Sequence, residues 1–244
     1  MNQRLDARDE RPQIGGKSGA DLAAPASNQR KPIMKHISVA ALVAALVLGA
    51  GSASLAKPPA GQNEAPASRS VGVKAGDYLA EPYHTQVLFS VSHFGLSNFS
   101  GVVTGASGSL KLDPAHPANS KLDVSVETAT ILTPVEKLTG ELRGADWLDA
   151  EKYPKATFVS TKVVPTGAGQ ATIEGNLTLH GVTRPLTLHA RFVGAGVNPI
   201  TKGYTVGFDG EGAIKRTEFG VKTYAPMIGD TVHLTIHGAF ELQH

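Results

Sequence analysis

Few side chains in this sequence stand where they could do chemistry. His93 continues the apolar face Val87-Phe89-Val91, and Arg216 follows Ile214 in the same sense. An inward histidine can move a proton, or it can sit satisfied by a backbone carbonyl or hydroxyl. An inward arginine needs a partner, because an unpaired charge in apolar surroundings is costly. Glu218, Asp209 or the polar head of a ligand could supply it. His233 and His237 are four apart, but on a strand that spacing separates them by about 13 Å, too far to chelate one metal. Asp146, Asp149 and Glu151 surround Trp147 without a partner base. The chain has no cysteine, so thiol nucleophiles, thiolate metal sites and disulfides are excluded. The G-x-S-x-G, H-E-x-x-H, P-loop and G-x-G-x-x-G patterns are also absent. Catalysis would require His93 to work with a carboxylate inside the fold, and no such pair can be named. The expectation is a protein that is not an enzyme. The alternative is an isomerase or hydrolase acting on an apolar substrate.

The elements that carry these residues follow a period of two from Asp77 onward. Ile173, Leu177 and Leu179 alternate with Thr172, Glu174, Asn176 and Thr178. Val232, Leu234, Ile236 and Phe240 alternate with Thr231, His233, Thr235, His237 and Glu241. Similar runs occupy Val87–Val91, Leu122–Val126 and Leu186–Phe192, and weaker ones 100–112, 156–163 and 204–215. Asp113-Pro114, Thr166-Gly167-Ala168-Gly169, His180-Gly181 and Asn198-Pro199 mark turns between them. One segment reads as a helix: Pro134–Arg143, with Thr133 as N-cap and Leu138 and Leu142 one turn apart. The expected fold is all-β, an eight-stranded antiparallel barrel with one short helix between strands three and four. Closure removes exposed edges, and eight strands enclose just enough room for packed side chains or one ligand. The inward parity also contains Gly175, Ala190, Gly210, Gly212 and Gly238. Positions without bulk on a buried face would leave voids, which an apolar ligand could fill, although strand glycines also mark bends.

The N-terminal part reads as an address. Residues 1–56 carry seven Lys/Arg against four Asp/Glu, whereas residues 57–244 carry sixteen against seventeen. The basic excess therefore lies outside the body, which lacks the clustered charge of a nucleic-acid binder. From Met34 a short basic stretch, an apolar run Ile37–Leu48 and small residues at Ser54 and Ala56 compose a secretory signal peptide cleaved after Ala56. A run of twelve rises about 18 Å as a helix, too short to cross a bilayer core of about 30 Å. An ordinary buried helix is the alternative. Residues 1–33 are polar and read as a misassigned, disordered extension, with Met34 the true start. Residues 57–76 read as a disordered linker, and 77–244 as the barrel.

Several segments of the body resemble the YceI-like family, exported lipocalin-like barrels. They are His93-Phe-Gly-Leu-Ser97 with Gly101, Leu142-Arg-Gly-Ala-Asp-Trp-Leu148, and Lys152-Tyr-Pro-Lys-Ala-Thr-Phe-Val-Ser-Thr161. Gly175-Asn-Leu-Thr-Leu-His-Gly-Val-Thr-Arg-Pro185, Gly207-Phe208 and Arg216-Thr-Glu-Phe-Gly220 before Gly229-Asp230 complete the set. The resemblance spans about Tyr78 to the C-terminus. It implies a polyisoprenoid in the lumen, such as a polyprenol, polyprenyl phosphate or quinone; beyond that ligand, no cofactor and no metal are expected. It implies chain contacts at Phe89, Phe94, Leu138, Leu142, Trp147, Phe158 and Phe208, to which the inward parity adds Val91, His93, Leu177, Gly210 and Arg216. Thr85, Val102 and Ala106 depart from the family's usual residues; the latter two would widen the cavity. Carriage or storage of the lipid in the periplasm, transient membrane contact for lipid exchange and a homodimer are further expectations.

Overall fold

A computed structural model of the chain describes residues 72–243. The expected signal peptide with its cleavage site, the expected extension before Met34 and most of the expected linker lie outside the described residues. Ten strands are present in the order β1 Gly76–Ala80, β2 Gln86–His93, β3 Ser97–Val103, β4 Ser107–Leu112, β5 Lys121–Glu127, β6 Lys155–Gly167, β7 Gln170–Leu179, β8 Val182–Val197, β9 Tyr204–Lys215 and β10 Ile228–Leu242. All neighbours pair antiparallel in the order β1-β4-β5-β6-β7-β8-β9-β10-β2-β3, and β1 also pairs β10. β1 and β2 lie end to end along β10: Tyr78 faces Leu242, while Val87 faces Ile236. β3 and β4 continue each other in the same way. The sheet is thus an eight-stranded barrel in which two strands are broken by short bends, as the alternation implies.

The connections sort to two ends. The helix end carries the β2–β3 and β7–β8 turns, the segment between β5 and β6, and the segment 216–227. The opposite end carries the β4–β5, β6–β7 and β8–β9 connections. His180 and Gly181 both have positive φ (52° and 72°) between Leu179 and Val182. That geometry is a two-residue primed turn matching the twist of the flanking strands. Gly181 is also required by space, since a Cβ there would lie 2.6 Å from the Tyr153 ring.

The helix α1 spans Glu136–Arg143, two residues shorter than the sequence pattern implies. Val135 is its N-cap, and Thr133 is not. The Thr133 Oγ1 instead accepts from the N–H of Val135, two residues on, closing a turn before the helix. Thr139, 1% exposed, accepts the Thr133 N–H on its Oγ1 at 2.9 Å and so ties the helix to that turn. The core lies in two groups. Tyr78, Leu110, Val206 and Phe240 pack toward the opposite end, and Phe158, Leu186 and Leu188 pack mid-barrel.

Candidate functional site

Inside the barrel lies a cavity of about 610 Å³ whose wall is overwhelmingly apolar. It runs lengthwise. Both ends of β7, Gln170 and Leu179, contribute to its wall, and ten residues of strand span roughly 30 Å. Toward the helix end it is bounded by Leu142, Trp147, Leu148, Arg216 and Val221; toward the other it reaches Pro114, Pro117 and Gly169. An aromatic row, Phe192–Phe208–Phe240, lies along one side, with ring centroids 5.6 and 6.4 Å apart in edge-to-face contact. Apolar cavities of this kind stay dry and take apolar guests, and the volume falls within the range of small-molecule sites.

Strand alternation places most of the expected residues on this wall: Phe89, Val91, Phe158, Leu177, Phe208 and Gly210, joined by Leu142, Trp147 and Arg216. Three are placed elsewhere. His93 is the last residue of β2, where it is exposed and does not line the cavity, although its pairing with Ser97 of β3 is still in register. Phe94 begins the turn with φ 56° and carries its ring outward, 53% exposed, against the His93 imidazole. Leu138 is half-buried on α1, but the lumen takes Leu142 from that helix. Of the departures from the family pattern, Thr85 and Ala106 line the cavity and Val102 does not; it pairs with Leu132.

The small residues divide into two kinds. A Cβ at Gly210 would meet Ile236 no closer than 3.5 Å, and Ala190 lies directly across the strand, so this pair thins the wall. Gly238 also lines the lumen, with Phe240 3.1 Å from where its Cβ would be. Gly175 and Gly212 do not open space, contrary to expectation. A Cβ at Gly175 would lie 2.4 Å from the Phe158 ring, and one at Gly212 2.8 Å from Leu188. Large neighbours fill those positions, so these two glycines are close-packing sites.

Arg216 is 5% exposed, and its guanidinium has neither Glu218 nor Asp209 as salt-bridge partner. Four backbone carbonyls take its N–H groups: Gly229 at 2.9 Å, Val221 at 3.0 Å, Thr223 at 2.9 Å and Ile228 at 2.7 Å. Its guanidinium also lies 5.6 Å from the centre of the Trp147 ring. Burial lowers its pKa and Asp230 pulls the other way, while the Asp230 carboxyl is itself held down by the Thr217 N–H and the nearby cations. The side chain thereby pins the whole 216–229 segment across the helix end of the lumen. Asp209 is engaged elsewhere, by Arg191 and by His237 Nδ1 at 2.8 Å. Leu148 and Val221 are wall residues that alternation could not find, because both lie in irregular segments positioned by turn hydrogen bonds. Among the described residues no cluster of three or more His, Asp or Glu could hold a metal ion.

Comparison with known proteins agrees with this architecture. Residues 78–240 match the family model described as the YceI-like domain. A UPF0312 protein of Pseudomonas savastanoi is 39% identical over 154 residues, covering 62% of this chain and 80% of the relative. A UPF0312 protein of Vibrio parahaemolyticus is 37% identical over 166 residues, covering 67% and 85%. Among solved structures, BcnA of Burkholderia cenocepacia superposes with a TM-score of 0.56 at 27% identity, covering 63% of this chain and 95% of its own. The Campylobacter jejuni YceI protein superposes with a TM-score of 0.55 at 27% identity, covering 63% and 90%. The chain belongs to the YceI-like family.

Proposed function

We propose that this protein takes one long apolar lipid lengthwise into the barrel and carries or stores it in the periplasm without reacting it. The lipid is a polyisoprenoid: a polyprenol, a polyprenyl phosphate or a prenylated quinone. One observation carries the reading, the apolar lumen of about 610 Å³ running along the strands. Water gains little there, since a buried water needs two to four polar partners. A hydrocarbon chain gains about 0.8 kcal/mol for each CH₂ withdrawn from water, so a long tail binds tightly without specific contacts. The absence of reaction is supported by His93, the one candidate base, which faces solvent. Export is supported by the apolar run Ile37–Leu48 and the small residues up to Ala56.

The test is uptake of a fluorescent polyprenol by the purified protein in detergent-free buffer. Saturation at one lipid per barrel is expected, with displacement by polyprenyl phosphate or a prenylated quinone and recovery of the polyprenol unchanged. No uptake, or recovery of a modified lipid, would contradict the proposal.

A further inference from the structure

Six large apolar side chains at the helix end of the barrel are exposed, among charged neighbours. Leu96, at the tip of the β2–β3 turn, is 88% exposed, with Phe94 beside it. Leu132 and Val135, which lead into α1, and Tyr224 and Met227, which precede β10, are each between 45% and 60% exposed. These segments adjoin: the Phe94 N–H donates to the Met227 carbonyl at 2.9 Å, and Leu132 bridges to Val102 of β3. Trp147, whose ring lines the lumen, lies 6.3 Å from the Tyr224 ring. The exposed rim is therefore continuous with the cavity. At the opposite end Ile200 is equally exposed, but its β8–β9 connection contributes no residue to the cavity wall.

We propose that this rim docks on a lipid bilayer by inserting Leu96, Phe94 and their neighbours among the acyl chains, placing Trp147 and the lumen mouth at the membrane surface. The proposal rests on the lumen being a lipid site, since such a cargo resides in a bilayer before and after carriage. Two further observations select a bilayer. Six side chains uncovered to this degree offer roughly 600 Å² of apolar area around the lumen mouth, and each large apolar group moved from water among acyl chains contributes about 1.5–3 kcal/mol. The residues also project from turn tips and loops, a shape suited to shallow insertion. The helix-end segments 94–96, 128–154, 180–181 and 216–227 carry five Lys/Arg against six Asp/Glu. Attachment therefore does not depend on anionic lipid, unlike that of a polybasic surface.

The test is co-sedimentation of the purified exported protein with phosphatidylcholine vesicles. Phe94→Asn with Leu96→Ser is expected to weaken binding about tenfold or more, the effect of withdrawing two large apolar groups. Ile200→Ser is expected to leave it unchanged, and adding phosphatidylglycerol to change it by less than twofold. Equal loss in both variants, loss in neither, or no binding by the native chain would overturn the proposal. So would a dimer of the native chain, seen without vesicles, that the double variant breaks, because the rim would then belong to a second copy. Thermal melts confirm that each variant folds. Native mass spectrometry of the double variant separates the two readings: lipid retained in the lumen without vesicle binding removes docking alone, and vesicle binding by a native chain with an empty lumen removes the lipid site alone.

Discussion

Arg216 shows how a charged residue can sit against an apolar lumen without marking a reaction centre. Its four carbonyl partners, 2.7 to 3.0 Å away, come from a segment that folds across the end of the barrel. Removing the guanidinium leaves buried acceptors unpaired. Arg216→Gln is expected to cost about 3 kcal/mol, or roughly 6–12 °C in Tm for a domain of this size. Arg216→Lys should recover less than half, because a point ammonium cannot span four divergent carbonyls as the planar fork does. An unchanged melt in Arg216→Gln would contradict this role. Tyr78 makes a second residue-level prediction. It is fully buried, its hydroxyl donates to the Lys74 carbonyl at 2.6 Å, and its pKa is pushed up to about 12, chiefly by burial and then by Tyr204. An unfolded tyrosine titrates near 10. The folded state holds the proton more tightly, so this contribution to stability is complete below about pH 10 and is lost as pH rises from 10 toward 12. Urea midpoints between pH 9 and 12 should fall less steeply in Tyr78→Phe than in the native chain. Equal slopes would show that another group governs the alkaline limb.

The strands were legible in the sequence because a half-buried barrel wall alternates inward and outward residues. Ile173, Leu177, Leu234 and Ile236 read correctly on that ground alone. Alternation failed where strands end or bend. His93 keeps the parity of Val91, but as the last residue of β2 it lies beyond the cavity wall and is exposed. Gly175 and Gly212 share the inward parity, but the sequence could not show that Phe158 and Leu188 fill the space above them. Helix α1 was visible from its Leu spacing, although its start was set by a contact no local rule contains, the Thr133 N–H on the Thr139 Oγ1. Thr139→Val keeps the shape and removes that acceptor. It is expected to cost about 1–3 kcal/mol and to accelerate amide exchange at Thr133. Exchange at the native rate would place the helix anchor elsewhere.

For the barrel as a whole, closure and contents are linked. The strands meet through the β1–β10 pairing, and packed residues fill only part of the interior, toward the end opposite the helix and beside Phe158. The remaining volume is kept by a thin stretch of wall, Ala190 facing Gly210 across β8 and β9. Composition could not reveal this, since a glycine in a strand marks a bend as readily as a cavity wall. The family resemblance supplied the expected polyisoprenoid, and the structure supplies an apolar space running along the strands. Native mass spectrometry of protein purified without detergent tests this account most directly, comparing the native chain with Gly210→Leu. The native barrel is expected to carry one apolar lipid, and the folded variant, with a leucine side chain projecting into the lumen, to carry little or none. A native barrel without lipid, or a variant with undiminished occupancy, would contradict the claim that this lumen is a lipid site.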